Sequence, residues 1–250
     1  ALVVGISIRQ TGASMPTVTS VTYNSVSLAS LFPAVESPES SGMRSEIWGL
    51  AGDTVATGTN TVSITLSTSG EVVGGAVSFT GVDPSSPFNA TGQSSEGTQI
   101  TQALVTGSTS YLVDVLAIDG GSTASPFAGQ TTAWNRSTGS GSANLLGAGS
   151  TKPASPVFSL MQWSLGATEK FAAHITEVRP FGPNVVELKT FDADYSPHRE
   201  HVALRWSTGG ELGTLGFRVL RETEDGVFEQ VNRGLVAGSA LVAREILETG

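Results

Sequence analysis

The stretch YLVDVLAID at residues 111–119 is among the longest apolar runs of the chain. Hydrophobic side chains stand at successive positions on both sides of Asp114, so both faces of this segment would be buried in a sheet. The run is far shorter than the roughly 20 residues that a membrane helix needs. It is therefore predicted to be a central strand.

Alternation of apolar and polar residues predicts further strands around it. Leu2, Val4, Ile6 and Ile8 would share one face of a strand. Asn24-Ser25 separates two strand patterns and fits a two-residue hairpin turn. The other segments with strand patterns in this part of the chain are 18–23, 26–29, 43–50, 61–67, 72–80, 144–149, 156–165 and 169–178.

Polar segments rich in Pro, Gly and Ser separate these strands, and they are predicted to be long loops at 33–42, 83–97 and 120–130. No segment of a dozen residues shows the 3.6-residue periodicity of a helix. The pattern predicts an all-β protein made of antiparallel sandwiches.

Charge density changes along the chain. Residues 1–180 hold 17 charged side chains, whereas residues 181–250 hold 18 in well under half that length. The change falls at RPFGPN, residues 179–184, where two prolines bracket a glycine. We predict a large β-sandwich domain at 1–179, a Pro/Gly linker at 180–184 and a second, partial sandwich domain at 185–250.

The composition narrows the class of protein. Ser and Thr together number 60, charged residues make up 14%, and the net charge is −9 without a basic cluster. A nucleic-acid partner needs a cationic surface and is excluded, and no apolar run is long enough for a membrane span. The absence of cysteine excludes disulfides and thiolate metal sites. It also favours a bacterial extracellular or cell-surface protein over a eukaryotic secreted one.

Short motifs follow one another in a fixed order through the first domain. They are LVVGIS at 2–7, VTSVTY at 18–23, EIW at 46–48, VSFTGVD at 77–83, YLVDV at 111–115 and GAGSTKP at 147–153. Together they resemble a β-sandwich module, Ig-like or jelly-roll-like, that is repeated in large secreted bacterial surface proteins. The resemblance implies an extracellular location and no assigned catalytic residues.

The second domain carries another resemblance. VALRWST at 202–208, Glu211 and GFRV at 216–219 are similar to a fibronectin-type-III-like module common at the ends of such proteins, with Trp206 in its core. Such modules have more strands than either end of this chain offers, so both domains are expected to be incomplete. The strands predicted here are 185–191, 201–207, 215–222 and 227–232.

Four potential metal ligands lie within ten residues of the second domain: Asp192, Asp194, His198 and His201. Carboxylates and neutral imidazoles can hold zinc or a similar ion. Their spacing matches no metal motif, and a solvated turn between two strands accounts for the same residues. We therefore treat them as weak candidates and expect no metal.

Three aspartates of the first domain, Asp83, Asp114 and Asp119, are possible calcium ligands by residue type. They lack the alternating acidic pattern of a calcium loop. Asp114 stands out because a carboxylate inside an apolar strand needs bonding partners. Its expected role is structural.

Catalytic patterns are weak. His174 could serve a Ser/His/Asp triad, but no Gly-x-Ser-x-Gly elbow stands at a strand–helix turn. The residue types do not exclude the paired carboxylates of a glycosidase. The low aromatic content of 7%, however, does not indicate a sugar-binding cleft. We expect no enzyme and no cofactor.

The tryptophans bear on an alternative function, a carbohydrate-binding or adhesive module. Trp48, Trp163 and Trp206 lie in strand patterns and are expected in cores. Trp134 is the weak candidate for a glycan-binding platform. Asn89-Ala90-Thr91 and Asn135-Arg136-Ser137 match the glycosylation acceptor pattern, which is a weak motif.

The favoured hypothesis concerns assembly. The chain opens directly on the strand that carries Leu2, Val4, Ile6 and Ile8, which would leave an unpaired edge. Exposed edges recruit strands from other chains, as in donor-strand complementation. We predict an extracellular fibre or surface-layer subunit that associates with copies of itself or with other modules of the same polypeptide.

Overall fold

The structure is a computed structural model made of β-strands, with no helix among the residues that it describes. These residues are 1–38, 42–52, 55–107, 109–120, 122–139, 144–155, 157–181, 188–196, 201–208, 216–223, 225–234 and 236–237. Contacts divide the chain into two units, Ala1–Phe181 and Gly182–Gly250. Residues 182–184 of the predicted linker lie outside the described residues.

The strands of the first unit run antiparallel to their neighbours. They are β1 (Leu2–Gln10), β2 (Val18–Tyr23), β3 (Val26–Ser27), β4 (Ala29–Ser30), β5 (Val35–Glu36), β6 (Met43–Leu50), β7 (Val62–Leu66), β8 (Gly70–Ser78), β9 (Phe88–Leu104), β10 (Tyr111–Asp119), β11 (Ala124–Pro126), β12 (Thr131–Ser137), β13 (Leu145–Pro153) and β14 (Ser159–Val178).

Three sheets result. The outer sheet has the order β3-β2-β7, and the middle sheet has the order β4-β6-β1-β8 with β5 also paired to β6. The long sheet has the order β11-β14-β10-β13-β12 with β9 also paired to β14. The predicted all-β, antiparallel sandwich class is confirmed, while the Ig-like, jelly-roll-like or fibronectin-like identity stays a prediction.

Strand β1 is buried on both faces because the middle sheet lies between the other two. Leu2, Val4, Ile6 and Ile8 pack against residues of the outer sheet, as the shared face predicted. On the opposite face Val3 packs with Val113 and Val115 of β10. At 24–25 the predicted hairpin turn forms, with φ of 47° and 66°, which suits a primed turn.

The predicted assembly edge at Leu2, Val4, Ile6 and Ile8 is wrong. Strand β1 pairs with β6 on one side and with β8 on the other along most of its length. Its backbone groups are therefore used within the sheet. The sequence pattern identified a strand but could not show how many neighbours it has.

Strand β10 is the central strand that the sequence predicted, paired with β13 and β14. Its second face is covered by strand β14 itself. The pairing of β14 with β9 shifts between Ser164 and Glu169, and the segment before this shift, with Trp163 and Leu165, packs against Leu116 and Ile118 of β10. The first part of β14 therefore adds a further layer over the long sheet.

The predicted loop at 83–97 is wrong, because β9 begins at Phe88 and continues as a strand to Leu104. Its sequence NATGQSSEGTQ is polar, and its residues are mostly half-buried or exposed. Among the described strands, β9 pairs with β14 alone, and little of β9 is buried. Its sequence therefore alternates only weakly between apolar and polar residues. The loop predicted at 120–130 likewise contains the short strand β11.

The second unit contains short antiparallel pairs: β15 with β16, β17 with β20, and β18 with β19. Trp206 is half-buried and meets Phe217 edge-on, with 5.9 Å between ring centroids. The strands are β15 (Leu188–Ser196), β16 (His201–Thr208), β17 (Gly216–Phe217), β18 (Leu220–Glu222), β19 (Phe228–Gln230) and β20 (Val236–Ala237).

Candidate functional site

Asp114 is completely buried and accepts three hydrogen bonds. The backbone N–H of Ser150 donates to Oδ1 at 2.5 Å and the Ser150 hydroxyl donates to the same oxygen at 2.9 Å. The indole N–H of Trp163 donates to Oδ2 at 2.6 Å. The carboxylate thereby joins β10, β13 and the layer formed by the first part of β14, which is the structural role expected from the sequence.

Burial raises the pKa of Asp114 to about 7, and the bonds from Trp163 and Ser150 work against this rise. All three partners are donors, so the geometry suits the ionised form, whereas the surroundings disfavour charge. The network extends to Gln130, whose amide donates to the Ser150 hydroxyl at 2.9 Å. The side-chain amide oxygen of Gln130, Oε1, accepts a hydrogen bond from the backbone N–H of Gln162 at 2.6 Å.

His174, the residue considered for a triad, also lies in the interior. Its Nδ1 is 2.9 Å from the hydroxyl of Ser45, and its Nε2 is 3.0 Å from the carbonyl oxygen of Pro33. A carbonyl can only accept, so Nε2 carries the hydrogen and Ser45 donates to Nδ1. Burial lowers the pKa of His174, although the Pro33 bond and the charge of Glu46 favour protonation.

The Ser45–His174 pair has the hydrogen bond of a nucleophile with its base. Both residues are fully buried between the middle and long sheets, so a substrate cannot reach the serine hydroxyl in this fold. The histidine therefore links two sheets, as Asp114 links strands of the long sheet to its covering layer.

The three aspartates considered for calcium do not come together. Asp83 accepts bonds from the backbone N–H and hydroxyl of Ser85 at 2.8 and 2.7 Å, which closes a turn and lowers its pKa. Asp119 ends β10, where partial burial raises its pKa. Within the described residues, no three His, Cys, Asp or Glu side chains form a group that could hold a metal ion.

The metal candidates of the second unit are only partly described. Asp192 and Asp194 are exposed residues within β15, not members of a turn as predicted. They pair across the hairpin with Arg205 and Ala203. His198 lies outside the described residues, and only the backbone of His201, opposite Ser196, is described.

Trp134, the candidate sugar platform, lies in β12 and packs between the middle and long sheets. A Cβ atom added at Gly5, Gly75 or Gly149 would overlap its indole ring. Its Nε1 is buried and has no hydrogen-bond partner among the residues that the structure describes. The partly buried ring therefore packs on glycine backbones, and its role as a glycan-binding platform stays a prediction.

An open apolar groove lies where the outer and middle sheets meet, and we call it the edge groove. It has a volume of about 220 Å³ and is lined by Val4, Val62, Ile64, Gly74, Gly75 and Ala76. Among the described residues, β7 pairs only with β2 and β8 only with β1, so each is the edge of its sheet. The sequence reasoning missed this site. The available signal was the small-residue run Gly74-Gly75-Ala76 within a strand.

Comparison with protein-family models, curated proteins and solved structures finds no match for the chain. The described part of the chain contains no helix with the length and apolarity needed to cross a membrane.

Proposed function

We propose that the chain is a non-enzymatic extracellular structural protein whose first unit associates with copies of itself at the edge groove. The observation that carries the proposal is the groove itself, which combines an apolar lining with two strand edges. Strand edges present unpaired N–H and C=O groups and recruit further chains.

The sequence of these edges supports association. Natural edge strands are protected by charges, prolines or bulges. Strand β7 reads VSITL, without a charge or a proline, and the charged residue of β8 is Glu71. Glu71 lies three residues before the groove-lining Gly74, and its carboxylate accepts a bond from the hydroxyl of Thr138 at 2.7 Å.

The polar interior also supports a structural role. Asp114 and His174, the buried residues with the strongest catalytic potential in the first unit, are bonded to groups on other strands and closed off from solvent. The extracellular location rests on the cysteine-free composition and on the resemblance to surface modules.

Sedimentation velocity of the full chain at rising concentration tests the proposal. Wild type should form growing oligomers, and Ala76→Glu should stay monomeric because it places a charge at the rim of the apolar groove. The matched control is Ser78→Glu, an exposed position on the same strand outside the groove lining. A wild-type chain that stays monomeric at every concentration rejects self-association.

A further inference from the structure

A cluster of exposed apolar side chains lies just after the end of β9 and just before the start of β14. It consists of Val105, Val157 and Phe158, and we call it the apolar tip. Each of the three is more than half exposed, and Phe158 is 53% exposed. Adjacent bulky side chains in solvent are unfavourable unless something covers them.

Hydrogen bonds of the backbone and of hydroxyl groups hold the residues around the tip. Thr106 and Val157 exchange two backbone hydrogen bonds, of 3.4 and 3.2 Å. The Thr106 hydroxyl donates to the carbonyl oxygen of Ser155 at 2.8 Å, and the Ser155 N–H donates to the hydroxyl of Ser159 at 2.8 Å. These bonds hold Val157 and the flanking Ser155 and Ser159 without using the exposed side chains, which stay available for a partner.

The backbone at the tip is strained. Val157 has φ of 72°, a left-handed conformation that a β-branched residue rarely adopts. Strain of this kind persists where the surrounding bonds impose it, and it is concentrated at binding sites. Exposure and strain are independent observations that coincide at Val157, and its neighbour Phe158 shares the exposure but not the strain.

The edge groove has the size and chemistry to receive this tip. An apolar cavity of about 150 Å³ is enough to bind benzene, and the groove has a volume of about 220 Å³. Its six lining residues carry no polar side chain. We propose that Phe158 of one chain inserts into the edge groove of a second copy of the chain. This inference rests on the proposed self-association and names the segment that fills the groove.

The positions of the two surfaces determine the kind of assembly. The groove lies between the outer and middle sheets, whereas the tip lies on the segments that flank the long sheet and its covering layer. The contact therefore joins two different surfaces of the same unit. Such head-to-tail contacts leave one tip and one groove free at the ends and build open chains unless the rotation closes them.

The test uses two full-length variants that each remove one half of the contact. Phe158→Asp keeps the groove, and Ala76→Glu keeps the tip. Each alone should raise the dissociation constant of self-association by about tenfold or more, as loss of a central aromatic contact does. Mixed in equal amounts, they should form a 1:1 dimer in sedimentation velocity and extend no further.

The matched control is Val202→Asp, which introduces the same charge at a side chain that is 55% exposed. It should assemble as wild type does. Circular dichroism of each variant checks folding. If a variant unfolds, Val157→Cys and Ala76→Cys replace the pair, since the chain has no cysteine and a mixture should give a disulfide-linked heterodimer.

The outcomes separate this inference from the proposed function. A monomeric wild type overturns both. If the wild type assembles and Phe158→Asp assembles equally well, the insertion of Phe158 into the edge groove is wrong, while the proposed self-association stands. Two defective single variants that fail to pair when mixed also overturn the tip-to-groove contact. A capped 1:1 dimer supports it.

Discussion

The two units pair their strands in the same way but bury them very differently. In the first unit β1 and β10 have neighbours on both sides and packed layers on both faces. In the second unit β15 and β16 pair along almost their full length, yet Phe191, Tyr195 and Val202 are more than half exposed. Hydrogen-bonded pairing alone therefore does not bury side chains.

The difference shows where the stability of the first unit arises. Full burial of one large apolar side chain contributes about 1.5–3 kcal/mol, whereas a backbone hydrogen bond contributes about 1 kcal/mol net. Every fully buried hydrophobic residue among the described part of the chain belongs to the first unit. Stability should therefore depend on the packed layers, and substitutions inside them should cost more than substitutions on paired but exposed strands.

The largest difference is expected between two tryptophans. Trp163→Ala should lower the free energy of unfolding of the first unit by about 3–5 kcal/mol, because it leaves a cavity and removes a donor from Asp114. Trp206→Ala should lower that of the second unit by about 1–2 kcal/mol, since its ring is half-buried against Phe217. Hydrogen exchange resolved by peptide measures each unit separately. Equal losses would show that the second unit is packed as tightly as the first.

The next effect is a pH dependence of the first unit that arises at Asp114. The raised pKa of Asp114, about 7, means that the folded chain holds a proton between about pH 4 and 7 that the unfolded chain has released. The free energy of unfolding should therefore fall as pH rises through this range, by up to about 4 kcal/mol, and level off above it. Asp114→Asn should abolish this slope even if it lowers stability throughout.

His174 acts in the opposite direction, which makes the test sharper. Its pKa is lowered, so below pH 6.5 the unfolded chain takes up a proton that the folded chain does not hold. Its contribution to stability is lost as pH falls. In Asp114→Asn the free energy of unfolding of the first unit should therefore fall as the pH is lowered. If its dependence on pH were the same as in wild type, Asp114 would not be the group that causes it.

The sequence predicted the buried strands much better than the exposed ones. The predicted strand at 43–50 coincides with β6, and the predicted central strand coincides with β10, because buried faces impose an apolar pattern. Strand β9 was missed because its polar residues satisfy no such requirement. The sequence also showed two strands at 156–165 and 169–178, where the structure has one strand, β14, that continues through the shift after Ser164.

The candidate sites follow the same rule. A need for partners at Asp114 could be read from its apolar neighbours, but Ser150 and Trp163 are 36 and 49 residues away in sequence and only the fold brings them to it. The edge groove was invisible because it depends on which strands lack a neighbour. That information is in the sheet order, not in the pattern of any single strand.

A smaller effect is expected from the glycines around Trp134. Gly75→Ala should lower the stability of the first unit by about 1–3 kcal/mol, since the added methyl group would overlap the indole between the sheets. Gly12→Ala is the control, because a Cβ there meets no atom within 4 Å and should leave stability unchanged or slightly higher. Thermal unfolding of both variants measures the difference. A tolerated Gly75→Ala would mean that the indole can leave the space between the sheets.

The smallest effect is expected from an ion pair of the second unit. Arg221 and Glu229 lie 3.7 Å apart and are both exposed, so Glu229→Gln should change stability by about 0.5 kcal/mol or less.

In the first unit Glu46 is buried and accepts bonds from Arg44 at 2.7 Å and from the Trp48 indole at 3.0 Å. Glu46→Gln should cost about 1–3 kcal/mol, because an amide cannot accept at both positions and leaves a buried donor unpaired. Salt should weaken the exposed pair more, since solvent ions screen it directly, whereas the side chains of Arg44 and Glu46 are 15% and 6% exposed. Hydrogen exchange measures the loss of stability that each substitution causes in its own unit. Equally small losses would show that water reaches Glu46 between the layers around β6. The polar contacts of the two units would then not differ in strength.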